Sequence, residues 1–251
     1  MEIKLRVIKF SMFIAFCLFI GQNAFAQNPD WSMLAPELGG TLRLGVANGN
    51  SSKWFADFKT IKEKAQEYEV IFTLKDEILG KGEIKCHIKA LKDSKGAVIK
   101  LTSKNTPEDI KLIWTYGGAS NDTKAEKWNS VLEPEDCYKN VFSIEGNSFT
   151  LYYGTSRKLR VLEALVPPGE EPKLADAKQQ ESPLQLLNSG KKTDAQVVAS
   201  ESQLIDDVDL YFCFYFLNPK ADYNYFMLPK LFENRSYVVN KQTEWMKSTP
   251  D

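Results

Sequence analysis

The chain has 251 residues, with 32 basic and 33 acidic side chains and a formal net charge of −1. That balance excludes the basic footprint expected of a nucleic-acid-binding protein, and its lysines, spread along alternating strand positions, read as solvated faces. There is one histidine, His87, which excludes multi-histidine zinc sites and leaves little for Ser-His-Asp or Cys-His catalysis.

Residues 1–26 read as a cleaved export signal, not as part of the fold. Lys4, Arg6 and Lys9 form a basic start, the run from Phe10 to Ile20 is almost wholly apolar, and Ala24-Phe25-Ala26 has the small-x-small form of a cleavage site. The apolar run is shorter than the ~20 residues a membrane span needs. The expectation is a cut after Ala26, a periplasmic or secreted product and no membrane association afterwards. Removing three basic residues and one acidic one takes the charge from −1 to −3. Cys86, Cys137 and Cys213 then remain, an odd number, so at least one is unpaired, and no disulfide pairing is preferred.

Residues 27–228 have the pattern of one β-domain. Leu42 and Leu44 alternate with polar residues in a first strand, Asn48-Gly49-Asn50 marks a turn, and WFADFKT (54–60) reads as the returning strand of a hairpin. Three further period-2 runs follow at 69–74, 83–91 and 97–103. In the second, Ile84, Cys86, Ile88 and Ala90 face one way, which places His87 on the polar, exposed face.

The run DIKLIWTYGG (109–118) reads as a strand with one buried face, carrying Leu112 and Trp114, and is ended by paired glycines. A polar, aperiodic loop follows, ASNDTKAEKWNSVLEPEDCYKN (119–140), 22 residues long. Loops of that length in compact domains are commonly functional or disordered. The WTYGG block and the L-x-P-E-D-C-x-x-N block together resemble an uncharacterised β-domain family at the N-terminus of secreted bacterial glycoside-hydrolase-like proteins, in which an (α/α)6 barrel follows. The resemblance covers residues 28–251. It implies a large sandwich of two curved antiparallel sheets and a connection to carbohydrate processing.

Beyond the loop, VFSIEG and SFTLYYG read as a hairpin across Gly146-Asn147, and 158–166 as a longer strand. Residues 169–194, rich in Pro, Glu, Lys and Gln, read as an extended loop or short helix over the sheet. Strands resume at 196–204 and at 209–217, the latter apolar on both faces. From Pro229 the spacing changes to that of an imperfect amphipathic helix reaching Lys247, so 229–251 is expected as a C-terminal linker helix. The chain ends in Thr-Pro-Asp; in the resembling family a similar T-P-D stands where the helical barrel begins, which implies that the barrel is absent from this chain.

The fold class is therefore all-β: a large two-sheet antiparallel sandwich with a C-terminal linker helix. No cofactor loop, dinucleotide fingerprint or metal-ligand spacing occurs, so no cofactor and no metal are expected. Glu135-Asp136 is the best carboxylate pair for glycoside chemistry, although Pro-Glu-Asp also suits a turn or a helix start. Among the aromatics, Trp114, Tyr116 and Trp128 could offer flat faces to sugar rings, and Trp128 does so best because it lies in a polar loop. The expected partners are a carbohydrate and an (α/α)6-barrel domain, in the same polypeptide or a separate one. Three functions are open: a non-catalytic domain of a glycoside-hydrolase-like protein, a stand-alone carbohydrate-binding module, and an independent hydrolase or lyase.

Overall fold

The computed structural model describes residues 39–66, 69–92, 94–119, 131–155, 158–169, 171–218 and 223–234. The export signal, Trp128 and the chain beyond Asn234 lie outside them. Strands β1 (Thr41–Asn48) and β2 (Ser51–Trp54) form a hairpin, and β3 (Thr60–Gln66), β4 (Glu69–Lys75), β5 (Glu83–Ala90) and β6 (Gly96–Lys104) form a meander. Then come β7 (Lys111–Gly117), the single-turn helix α1 (Pro134–Cys137), β8 (Val141–Glu145), β9 (Ser148–Thr155) and β10 (Lys158–Leu165). The remainder is β11 (Lys173–Asp176), α2 (Pro183–Leu187), β12 (Gln196–Gln203), β13 (Leu210–Phe216) and α3 (Leu228–Glu233).

A five-stranded sheet ordered β11-β12-β7-β1-β2 packs on an eight-stranded sheet ordered β3-β4-β5-β6-β13-β10-β9-β8. The all-β sandwich expected from the strand periodicity is thus the observed fold. Inward-facing residues of the two sheets make the main core. Leu42, Leu44, Leu112, Trp114 and Tyr116 meet Phe72, Ile88, Ile99, Phe149, Phe212 and Phe214. The Trp114 ring lies 6.2 Å from that of Phe149 and 5.8 Å from that of Phe212, and Tyr116 stacks on Phe214 at 4.7 Å.

Each sheet also has a covered outer face. Over the five-stranded sheet, α1 and α2 enclose a second cluster of Trp54, Ile113, Leu132, Cys137, Leu186 and Val197. Over the eight-stranded sheet, α3 closes a third, with Leu228 and Phe232 on Val98, Tyr211, Cys213 and Tyr215. Three expectations are corrected by these layers. β7 is buried on both faces, because Ile113 and Thr115 look into the α1/α2 layer. His87 is half-buried under α3, its ring edge-on to Phe232 at 4.8 Å and Nε2 3.0 Å from Glu69. WFADFKT is not one strand: β2 ends at Trp54, a 3-10 turn (Phe55–Asp57) crosses between the sheets, and β3 begins the other sheet.

The region 169–194 does lie over the five-stranded sheet with a short helix, and it adds the edge strand β11 as well. Gly45 permits this layer: a Cβ there would lie 2.6 Å from Pro183 Cγ at the start of α2. Cys86, Cys137 and Cys213 are free, buried thiols that act as small apolar fillers. Among the described residues no helix is long and apolar enough to cross a membrane.

Candidate functional site

The block PEDCYKN folds as a bracket between the end of β7 and the start of β8. Pro134 suits the first turn of α1, where a missing N–H leaves nothing unsatisfied. Cys137 points into the layer below, and burial pushes its thiol up to about 12, although the Gly118 backbone N–H opposes the shift. Lys139 takes a left-handed conformation at φ 65°. Asn140 then ties the bend: its Nδ2 donates to the carbonyls of Asp136 (3.1 Å) and Tyr138 (3.3 Å), and its Oδ1 accepts from the Ala119 N–H at 3.3 Å. Gly118, at φ 79°, supplies the turn that leads into this bracket.

A second polar node fixes the 3-10 turn after β11 to the sheet. The Gln180 side chain pairs with the backbone of Leu132, accepting from its N–H at 3.0 Å and donating to its carbonyl at 2.5 Å. The Gln180 carbonyl accepts from Trp54 Nε1 at 2.9 Å, and Arg43 Nη1 donates to Gln180 Oε1 at 2.6 Å. Arg43 lies 4.1 Å over the Trp54 ring and is almost wholly buried. Burial lowers its pKa to about 10, with Asp57 opposing the shift, so the guanidinium stays charged.

Beside the first node is an open cleft of about 530 Å³ lined by Tyr138, Lys178, Lys191, Lys192, Thr193 and Asp194. Buried Asp176 holds its walls together. One carboxylate oxygen accepts from the Lys178 N–H at 3.0 Å and from the Thr193 hydroxyl at 2.9 Å. The Asp176 N–H donates to Ser189 Oγ at 2.9 Å. Lys178 Nζ sits 5.8 Å from the centre of the Tyr138 ring. A hydrogen bond to the Tyr138 side chain raises the pKa of Lys178, and the charges of Asp176 and Glu135 add to the rise. The arrangement can hold a planar or ring-shaped group against Tyr138 and meet it with ammonium groups. Among the described residues no three His, Cys, Asp or Glu side chains come together as metal ligands.

The residues singled out from the sequence are dispersed. Trp114 and Tyr116 are fully buried between the sheets, so neither ring presents a face to a sugar. The Tyr116 hydroxyl donates inward to the Gly39 carbonyl at 2.7 Å. Glu135 is exposed and Asp136 half-buried on the one turn of α1. Consecutive residues of a helical turn project about 100° apart, which does not aim both carboxylates at one bond. Trp128 lies outside the described residues. Tyr138, within the PEDCYKN block but not among the residues named from the sequence, lines the cleft. Lys178, Lys191, Lys192 and Asp176 were not singled out; an Asp two residues before Lys178, able to cap the following turn, was the available signal.

Among curated proteins none matches this sequence. Among solved structures, the fold is similar to that of a bacterial glucoamylase complexed with acarbose, with a TM-score of 0.50 and 13% sequence identity. The match covers 82% of this chain and 31% of that one, so this chain corresponds to less than a third of the glucoamylase. Residues 35–236 match the family model described as a domain of unknown function, DUF4450. That match takes in most of the sandwich and both blocks quoted above, and the chain belongs to the DUF4450 family.

Proposed function

We propose that this chain is a non-catalytic β-sandwich domain of a secreted glycoside-hydrolase-like protein, working in carbohydrate processing beside an (α/α)6 barrel, in the same polypeptide or a separate one, that carries the catalysis. The observation that carries the reading is the fold similarity to a glucoamylase over 82% of this chain but 31% of that one. A patch on the outer face of the eight-stranded sheet supports it. Val141 and Tyr152 pair across β8 and β9, Leu159 follows on the same face, and Leu217 bonds to the Val161 carbonyl beside them. Val141, Tyr152, Leu159 and Leu217 are all exposed there. Contiguous exposed apolar surface of this kind suits a docked domain.

The test is to identify helical-repeat reading frames beside the gene and to mix their products with this chain. A stable complex, lost on Leu159→Asp with Leu217→Asp, is the expected result. Glycoside hydrolysis by the purified chain alone would overturn the reading. A second reading, a stand-alone carbohydrate-binding module, is favoured by the Tyr138 cleft. It is on the opposite side of the sandwich from the apolar patch.

A further inference from the structure

The lining of the Tyr138 cleft is strongly one-sided in charge: three lysines, Lys178, Lys191 and Lys192, face one carboxylate, Asp194. The whole chain has a formal net charge of −1, so this is a local concentration of cations and not the trend of a basic protein. Lys178 and the Lys191-Lys192 pair come from opposite ends of the α2 excursion. They converge because Asp176 binds the backbone of one and the neighbouring Thr193 of the other. Asp176 itself is 1% exposed, so its carboxylate offers no contact surface to a ligand, although its charge and that of Glu135 act on Lys178. Tyr138 adds an aromatic face 5.8 Å from the Lys178 ammonium.

Aromatic faces stack on the C–H faces of sugar rings, and hydroxyl groups alone would be met by amides and carboxylates. Three ammonium groups beside such a face call for a ligand that also carries negative charge. We propose that the cleft binds an anionic saccharide, carrying a uronate or sulfate group, with Tyr138 against the ring and Lys178, Lys191 and Lys192 around the anion. The inference rests on the carbohydrate reading above and names the class of sugar. Because the lysines are exposed, their contribution is screened by salt, and binding should weaken steeply between about 0.02 and 0.5 M.

The test uses the purified chain on an array of oligosaccharides in matched neutral, uronate and sulfated forms, followed by titration of the strongest binders and of inorganic sulfate. At low salt, the charged forms should bind at least tenfold more tightly than their neutral counterparts. The triple variant Lys178→Gln, Lys191→Gln, Lys192→Gln should lose that preference and its salt dependence. Tyr138→Ala should weaken the saccharides while leaving inorganic sulfate unchanged. Equal binding of neutral and charged forms would overturn the inference and leave the carbohydrate reading standing. Sulfate binding as tightly as the saccharides, indifferent to Tyr138→Ala, would reduce the cleft to a simple anion site. If no saccharide binds, the inference fails, and the proposed domain role is then judged separately by the helical-partner experiment.

Discussion

Replacing Trp114 with alanine would open a void between the two sheets, where its ring is wedged against Phe149 and Phe212. The expected cost is about 3–5 kcal/mol, read from chemical-denaturation midpoints. Trp114→Phe should cost far less, because the indole N–H is buried without a hydrogen-bond partner among the described residues and its loss removes an unsatisfied donor. Tyr138→Ala should cost less, about 0.5–3 kcal/mol, since the half-buried ring packs against the cluster under α1 and α2 with one edge on the cleft. The period of β7 announced the burial of Trp114, and the polar loop set Trp128 apart from it. That Ile113 and Thr115 on the other face of β7 are buried as well was not legible, because a strand face toward solvent and one under a helical layer read alike until long-range contacts are known. The lysines of the cleft were hidden for the same reason: Lys191-Lys192 beside Asp194 has the composition of a solvated loop, and only the folding-back onto Asp176 brings Lys178 to them.

At the level of elements, α3 and α2 carry the two clearest tests. Phe232 of α3 is clasped from below: Lys89 Nζ donates to its carbonyl at 3.0 Å and lies 4.2 Å over its ring. Lys100 approaches the same ring at 5.2 Å, and His87 touches its edge. Phe232→Ala should therefore cost about 3–5 kcal/mol. Burial lowers the His87 pKa below its ordinary 6.5, helped by Lys89 and Lys100 and opposed by Glu69. The unfolded chain then binds the proton more readily than the folded one, so this contribution favours the fold at neutral pH and is lost as pH falls below about 6.5. His87→Phe should flatten the pH dependence of the denaturation midpoint in that window. Gly45→Ala would push Pro183 away from the sheet and should cost about 1–3 kcal/mol, with α2 loosening first in hydrogen exchange. The strands most easily missed were those that shield sheet edges. β3, with Lys62, Glu63 and Lys64 in sequence, has the charged character of an edge strand and none of the apolar alternation that revealed β4 to β6.

For the molecule as a whole, the sandwich class was legible because antiparallel strands with one or two buried faces leave a period-2 trace. Two hairpins were marked by Gly49 and Gly146, which take φ values of 57° and 54°. The crossing of the chain between sheets was not legible. Trp54 belongs to the outer cluster and Phe55 to the inner core, so a switch of layer occurs between two adjacent aromatics with no glycine or proline to announce it.

The strand order has a consequence for how this chain folds. In the larger sheet, β3 to β6 and β8 to β10 are each built from neighbours in sequence, and β13 alone stands between β6 and β10. In the smaller sheet β12 likewise pairs with β7 from a distance, Val198 opposite Tyr116. Two meanders can therefore form early from local contacts, but they become one cooperative unit when residues 210–216 insert between them. The loop-closure entropy of both pairings falls on that last step, which should set the rate. A chain stopped at Asp209 should keep strand content by circular dichroism yet unfold without a sharp transition, and adding a peptide of residues 210–218 should restore one. Cooperative unfolding of the truncated chain by itself would show that the two halves are already joined without their final strand.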